Sequence, residues 1–409
     1  MIERVQFSTR WVAVGIFSLS SFLSFLDRQL LAAAAPAIKT EFNISNAQYG
    51  EIVSAFALAY AISTPAFGLL LDRMGLGFGA TLSVGLWSFS SLLTGFSQSF
   101  LTLIGARIGL GVGESAGIPS VSKASASYLP PSELGFSTTM GSIAITGGTV
   151  SAPLLMAYMG NAYGWRSCFL LSGALGVPWI LLWLYTSRRI PAVYAPDRTT
   201  LRASGRLLRD SNLWFIALAY ALLMAEYSLW MNWTTIYFVQ EHHLSGAEAN
   251  RYFTWIPPIF GTGGGFLGGT LAYHWIRRGD FAPQVRFRVC LVSIPFIFVS
   301  AAVPWIPTPG LSAVVIGLGL VGCMSMITAV HALPIDVFGP KNAAFSASLL
   351  ACCYSLFQAA ASPLIGWVVD SFGFSYVCVA MPFLPLLGIF FVRWSARDLK
   401  RPLVGVAAY

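Results

Sequence analysis

The run WVAVGIFSLSSFLSFLDRQLLAAAAPAI, Trp11 to Ile38, is apolar enough and long enough to cross a bilayer, yet it carries an acid and a base side by side, Asp27 and Arg28. Ionisable groups at bilayer depth are disfavoured by roughly 2.5–3.5 kcal/mol each on insertion scales, so they face a protein interior or a water-filled cavity and mark transport paths. Arg107, Glu114 and Glu226 stand in equally apolar surroundings. Five such groups in one hydrophobic chain point to a polar path for an ion or an organic anion. For Asp27 and Arg28 taken alone, the alternative is a structural ion pair that staples helices together.

Composition places the whole chain in the same solvent. Of 409 residues, 56% are hydrophobic and only 10% charged, and the mean hydropathy is +0.70, which no ordinary soluble domain of this size shows. Windows of about 20 residues, the length that spans roughly 30 Å of hydrocarbon, recur twelve times. They are expected as helices near Trp11–Pro36, Tyr49–Leu71, Phe78–Gly95, Phe100–Ser122, Gly135–Gly160 and Ser167–Tyr185, then near Leu213–Val239, Tyr252–Trp275, Val289–Trp305, Leu311–Leu333, Ala343–Val369 and Tyr376–Val392. The first segment is too long for a signal-peptide core and carries two charges, so it reads as a retained helix.

The cations set an orientation. With the N-terminus cytoplasmic, the loops on its side hold Arg73, Lys123, the basic run from Arg188 to Arg209, Arg277, Arg278, Arg286, Arg288 and Lys341, and the tails add six more. That is most of the 24 Lys and Arg residues, so both termini are expected to be cytoplasmic in a multi-pass protein of the inner (plasma) membrane. The net charge of +8 then needs no nucleic-acid partner, because topogenic arginines beside anionic headgroups account for it. The six cysteines fall in or beside apolar spans without metal-ligand spacing and read as small packing residues. His242 and His243, beside Glu241, read as polar residues of an outer loop, with a metal or pH role as the alternative.

One long polar interruption divides the chain: residues 1–187 form a first six-helix bundle, 188–211 a basic cytoplasmic linker and 212–409 a second bundle. The halves echo one another. Gly68 to Arg73 follows the second span as Gly269 to Gly279 follows the eighth, and Pro153 with Gly164–Trp165 is matched by Pro363 with Gly373–Phe374. Two parallel halves with a midplane site between them is how many secondary transporters are built. Close helix approach in lipid needs small residues, which Gly147, Gly148, Gly261, Gly263, Gly264, Gly265, Gly268 and Gly269 supply.

GLLLDRMG, Gly68 to Gly75, resembles the GxxxDRxG loop signature of the major facilitator superfamily, without the basic residue that usually follows. SFLDRQLLAAAAPAI from Ser24, RIGLGVGESAGIPSVSKA from Arg107 and GWRSCF from Gly164 are similar to the anion:cation symporter family within it, nearest to bacterial hexuronate and sugar-acid transporters, whose WxP in helix eight is matched by Trp255 and Pro257. The likeness covers nearly the whole chain. The DR of the first span and GVGE of the fourth also resemble spinster-type transporters, which keeps a lipid or amphiphile substrate open. The resemblance implies an all-α, twelve-helix integral membrane fold of two pseudo-symmetric bundles. It also implies that Arg28 binds a substrate carboxylate while Asp27 and Glu114 take part in proton coupling.

The residues agree with those roles. Arginine is permanently charged and forks bidentately onto a carboxylate. A neighbouring ionised Asp27 is expected to neutralise Arg28 and, once protonated, to free it for the anion. Glu114, desolvated near the middle of helix four, is a proton carrier. Arg107, seven residues before it and about 10 Å away at 1.5 Å per residue, is either part of the substrate field or a helix-four anchor. Tyr60 matches a tyrosine the family places near substrate, with a packing role as the alternative. Trp230, Asn232 and Trp233 form a further binding set against a packing reading, and Gln358 offers an amide if it points inward. Glu226, central in helix seven, matches no family position and reads as a second proton site or a capped acid. Asp72, Arg73, Arg277 and Arg278 are expected to gate or orient the loops.

The departures bear on the substrate. Ser24 and Phe25 stand where the family has Asn and Tyr, Ser142–Ile143–Ala144 replaces an NSG pattern, Cys352 stands for an Asn and Tyr273 for a loop aspartate. Each unmade bond to a hydroxyl in a buried site costs roughly 1–3 kcal/mol, so a smaller or more apolar carboxylate fits better than a polyol. The expectation is a monomeric, proton-coupled importer of a small organic anion (a hexuronate, an aldonate or another carboxylate), with no cofactor besides the proton. No Walker loop, nucleophile elbow or zinc spacing supports an enzyme. A uniporter or exporter of amphiphilic acids or lipids, or a transport-dead receptor on the same fold, are the alternatives.

Overall fold

The computed structural model describes residues 7–190, 207–339 and 342–397. It is a twelve-pass helical protein. The helices are α1 (Phe7–Phe42), α2 (Asn46–Phe67), α3 (Arg73–Gly95), α4 in two pieces (Phe100–Glu114 and Gly117–Tyr128), α5 (Leu134–Tyr163) and α6 (Trp165–Arg189), followed by α7 (Ser211–Glu241), α8 in two pieces (Gly246–Tyr252 and Ile256–Arg277), α9 (Ala282–Trp305), α10 (Pro309–Phe338), α11 (Ala343–Phe372) and α12 in two pieces (Phe374–Ala380 and Phe383–Arg397). Ten, α12 among them despite its break, are long and apolar enough to cross a membrane; α4 and α8 are the exceptions. The part of the expected linker that would carry Arg198, Arg202 and Arg206 lies outside the described residues.

The interruptions have chemical causes. Pro119, three residues into the second piece of α4, has no amide proton to offer the carbonyl of Ser115 and its ring crowds that carbonyl, so the helix parts directly after Glu114. Pro257 and Pro258 occupy the first turn of the long piece of α8, where their missing donors are harmless. Pro153 in α5 is followed by one π-helical turn, Met156–Gly160. The internal repeat is visible in the backbone: Gly75 breaks the helix within the first turn of α3 at φ +78° as Gly279 closes the loop after α8 at +92°, and Gly164 and Gly373 close α5 and α11 at +81° and +84°. Only glycine takes such angles freely, so the echo between halves is an echo of required conformations.

Small residues set the packing as expected. A side chain at Gly148 would strike the Phe22 carbonyl of α1, and side chains at Gly264 and Gly268 would strike Val321 and Ser325 of α10. Gly263, by contrast, has open space beside it.

The two bundles meet along α1–α7, α2–α11 and α5–α8, and they are sealed at one end. There Asp370 of α11 accepts hydrogen bonds from the backbone N–H groups of Asn46 (3.1 Å) and Ala47 (2.9 Å), capping the first turn of α2 from the opposite bundle. The Tyr49 hydroxyl donates to the Asn232 carbonyl (3.0 Å), Ser54 to Ala359 (2.6 Å) and Asn250 to Ala33 (2.8 Å). Gly50 and Gly366 let α2 and α11 touch backbone to backbone, since a Cβ on either would overlap the partner's main chain. Midway, Thr146 of α5 and Thr262 of α8 share a 2.7 Å hydrogen bond. Beyond it, toward the end that carries the loops after α2 and α8, a cavity of about 620 Å³ opens between α5, α7, α8 and α10.

Loss of a helix cap is worth about 1 kcal/mol, a factor of about five in a two-state population. Asp370→Ala is therefore expected to populate a form with this end open. Double electron–electron resonance between labels at Thr40 and His243, which are exposed on opposite bundles, would show a longer distance gaining weight; an unchanged distribution would count against the cap as a latch.

Candidate functional site

At the heart of the first bundle, four charged side chains come together, Asp27, Arg107 and Glu114 buried and Arg28 partly open. Arg28 of α1 donates from Nε to Oε2 of Glu114 on α4 at 2.5 Å. Glu114 has no exposed side-chain surface, while Arg28 keeps 24% of its own. Asp27 does not pair with its neighbour. Successive residues on a helix point about 100° apart, and Asp27 turns into the bundle, where Ser91 of α3 (2.8 Å) and Ser172 of α6 donate to its Oδ1. The expected Asp27–Arg28 neutralisation is thus corrected: Glu114, 86 residues away in sequence, is the counter-ion.

Arg107 is equally buried. Its guanidinium lies 5.0 Å over the Phe169 ring and acts electrostatically on Asp27 and Glu114, while Nε and Nη2 have no hydrogen-bond partner. Two cations and two carboxylates interleave, so the set is neutral as a whole when all four are ionised. Removing any one charge leaves its neighbour uncompensated at low dielectric, which is strongly unfavourable.

Arg28 is also held by aromatic rings: Phe25, Phe56 and Tyr60 lie with centroids 5.0, 5.0 and 4.9 Å from its guanidinium carbon. Tyr60, expected near substrate, is therefore at the centre. From the second bundle, Tyr227 of α7 and Tyr354 of α11 come within electrostatic reach of Arg28, and Tyr220 within reach of Tyr60. Sequence reasoning missed these three tyrosines, although Tyr220 and Tyr227 are seven apart on α7 and so share a face. Tyr227 also lines the cavity, together with Ser142, Thr146 and Thr149 of α5, Thr262 and Thr270 of α8, Thr328 of α10 and several apolar side chains. Tyr227 thus lines the cavity and lies within electrostatic reach of Arg28.

The remaining expected site residues lie elsewhere. Trp233 is fully buried edge-on to Tyr49 at 5.2 Å, and the Asn232 side chain donates to Ser228 on its own helix, so both belong to the sealed seam. Trp230 borders a small void against Gln29 and Ala33 of α1. Gln358 is buried on α11, one residue before the carbonyl that Ser54 of α2 holds. Glu226 sits wholly inside the second bundle, where Ser300 of α9 donates to one oxygen and Trp230 stands beside the other without a formed hydrogen bond. It does not face the cavity. Arg73, Arg277 and Arg278 are exposed, Arg277 resting on Tyr273, and the side chain of Asp72 lies outside the described ones. Lys123 donates to the Leu71 carbonyl at 2.8 Å, tying α4 to the loop after α2. His242 shares a 3.0 Å hydrogen bond with Ser312 and lies among aromatic rings, and no metal cluster occurs among the described residues.

Comparison with known proteins agrees with this architecture. A hexuronate transporter of Escherichia coli (strain K12) is 25% identical over 97% of this chain and 96% of its own, and a galacturonate transporter of Dickeya chrysanthemi is 28% identical over 64% of this chain and 80% of its own. The crystal structure of a bacterial homolog to the human lysosomal transporter Spinster, inward-facing and unoccupied, superposes with a TM-score of 0.80 at 20% identity, covering 97% of this chain and 99% of that one. The model of the Major Facilitator Superfamily matches residues 17–344. With twelve helices in two bundles around a central cavity, this multi-pass membrane protein belongs to the major facilitator superfamily.

Proposed function

We propose that the protein is a secondary transporter that imports an organic anion together with protons by alternating access, with Arg28 as the carboxylate receptor and Glu114 as the counter-ion that yields to the substrate. The observation that carries this reading is the Arg28–Glu114 pair, one partner fully enclosed and the other reaching open space. A guanidinium forks onto one carboxylate at a time in its best geometry, so a substrate carboxylate and an ionised Glu114 compete for it. Protonation of Glu114 removes the competitor and leaves Arg28 for the anion. The incoming negative charge and the incoming proton together leave the net charge of the centre unchanged, which favours their joint passage through a low-dielectric interior. Asp27, bonded to two serines rather than to Arg28, is a second proton site that communicates through Arg107. Glu226, bonded to Ser300 inside the other bundle, stands apart from this pair.

The names of the relatives support an anionic substrate, since a hexuronate and a galacturonate each carry one carboxylate. With the basic loops cytoplasmic, as the positive-inside rule places them, the sealed end faces outward and the cavity faces the cytoplasm. In that reading both termini and the linker between the bundles are cytoplasmic, and the protein works as a monomer in the inner membrane. A second reading, an uncoupled carrier of apolar acids, draws on the likeness to the Spinster homolog and on the methionines and aliphatic residues among the cavity walls.

Three outcomes separate the readings. Glu114→Gln is expected to keep exchange of labelled anion across proteoliposomes but to abolish accumulation driven by a pH gradient; full accumulation would remove Glu114 from coupling. Anion affinity in the wild type should weaken as pH rises through the titration of Glu114, and Glu114→Gln should flatten that profile; a pH-independent wild type would favour the uncoupled carrier. Arg28→Lys keeps the charge but loses the fork, and a lost charge-assisted hydrogen bond of roughly 1.5–3 kcal/mol predicts a Kd about ten- to a hundredfold higher. Unchanged affinity would exclude Arg28 from the site.

A further inference from the structure

We infer that the anion is an aromatic carboxylate, such as a phenylacetate, rather than a polyhydroxylated sugar acid. The inference rests on the reading of Arg28 as carboxylate receptor and concerns what surrounds it. Three rings, Phe25, Phe56 and Tyr60, stand about the guanidinium at 4.9–5.0 Å, and Tyr227 and Tyr354 approach from the second bundle. A carboxylate that forks onto Arg28 therefore delivers its next few atoms among aromatic faces. Those surfaces match a flat ring in offset or edge-on contact. They offer a sugar ring no amide and no ionised group besides the charged pair itself.

The cavity beyond Tyr227 continues the pattern. It is lined by Met231, Met324, Leu320, Phe266 and neighbouring glycines, with Tyr227, Thr270, Tyr273 and His274 among its polar groups, and among the described residues no Asn, Gln, Asp, Glu, Lys or Arg lines it. Its hydroxyls are largely committed. Ser142, Thr149 and Thr328 each donate to the carbonyl one turn back on their own helix, at 2.9–3.1 Å, and Thr146 and Thr262 spend their protons on such carbonyls or on each other. Each can still accept a hydrogen bond, but none has a proton free for a substrate oxygen. A sugar acid carries several hydroxyls that both donate and accept, and Tyr227, Thr270, Tyr273 and His274 leave few donors to meet their acceptor sides. Each unmatched group weakens binding roughly tenfold. A phenyl ring makes no such demand, and a para-hydroxyl on it would find one of the tyrosine oxygens or threonine acceptors.

The test is binding of phenylacetate, octanoate and D-glucuronate to the purified full chain in nanodiscs at acidic pH, with Phe25→Leu, Phe56→Leu and Arg28→Lys measured in parallel. Phenylacetate is expected to bind at least tenfold more tightly than glucuronate, by the count of unmatched hydroxyls, and more tightly than octanoate, which has the carboxylate and the apolar body but no ring. Each Phe→Leu variant should lower phenylacetate affinity several-fold through lost ring contact, and Arg28→Lys should lower it further. Glucuronate binding as tightly as phenylacetate would overturn the inference while leaving the organic-anion reading in place. Octanoate binding equally well, or full phenylacetate affinity in both Phe variants, would likewise show that the rings do not select the ligand. Binding of none of the three would overturn the inference and the carboxylate reading together. The wild-type preference among the ligands decides the matter even if the Phe variants do not fold.

Discussion

A guanidinium held inside a membrane protein needs a negative partner at every stage of its working cycle, and this constraint organises the molecule. Arg28 cannot lose its proton at any ordinary pH, so the bundle supplies Glu114 across the α1–α4 contact. Breaking such a buried pair without replacing it costs about 3–5 kcal/mol, whereas exchanging one carboxylate for another costs little. That asymmetry turns a static ion pair into an exchange site. The carboxylate given up must be neutralised, and a proton is the simplest means.

The rest of the fold keeps this exchange local. Asp27 and Arg107 complete a neutral set of four, with the serines of α3 and α6 holding Asp27 away from Arg28. The break in α4 directly after Glu114 frees the end of that piece from a continuous hydrogen-bond ladder, so the carboxylate stands at a helix terminus rather than mid-helix. At the other level, the seam is made of bonds that can be undone one by one: an inter-bundle cap at Asp370, single hydroxyl-to-carbonyl bonds, and glycine contacts that fit only when the bundles are close. No inter-bundle ion pair occurs among the described residues. A seam of that kind holds by shape and releases without exposing a buried charge.

Much of the fold was legible in the sequence, because hydropathy of period one span and the repeated loop glycines are local signals. The expected spans fall on the twelve helices, and the echo at Gly164 and Gly373 reappears as matching backbone angles, while the further match of Gly75 with Gly279 emerges only in the backbone. The site was legible only in part. Asp27, Arg28 and Glu114 announced themselves as charges in apolar runs, but which carboxylate serves Arg28 depends on where α4 lies beside α1, and proximity in sequence pointed to the wrong one. Tyr220, Tyr227 and Tyr354 escaped notice because a tyrosine in an apolar span reads as packing until a partner bundle is placed opposite it. Trp233 and Asn232 looked like binding residues for the same reason, and they fill the seam instead.

The central claim is that anion binding and proton uptake at Glu114 are one event. Isothermal titration calorimetry of the anion in buffers of different ionisation enthalpy reads the number of protons taken up per anion bound. Starting from a pH at which Glu114 is ionised, the account predicts an uptake close to one proton in the wild type and none in Glu114→Gln. Anion binding at Arg28 with no proton uptake in the wild type would contradict it.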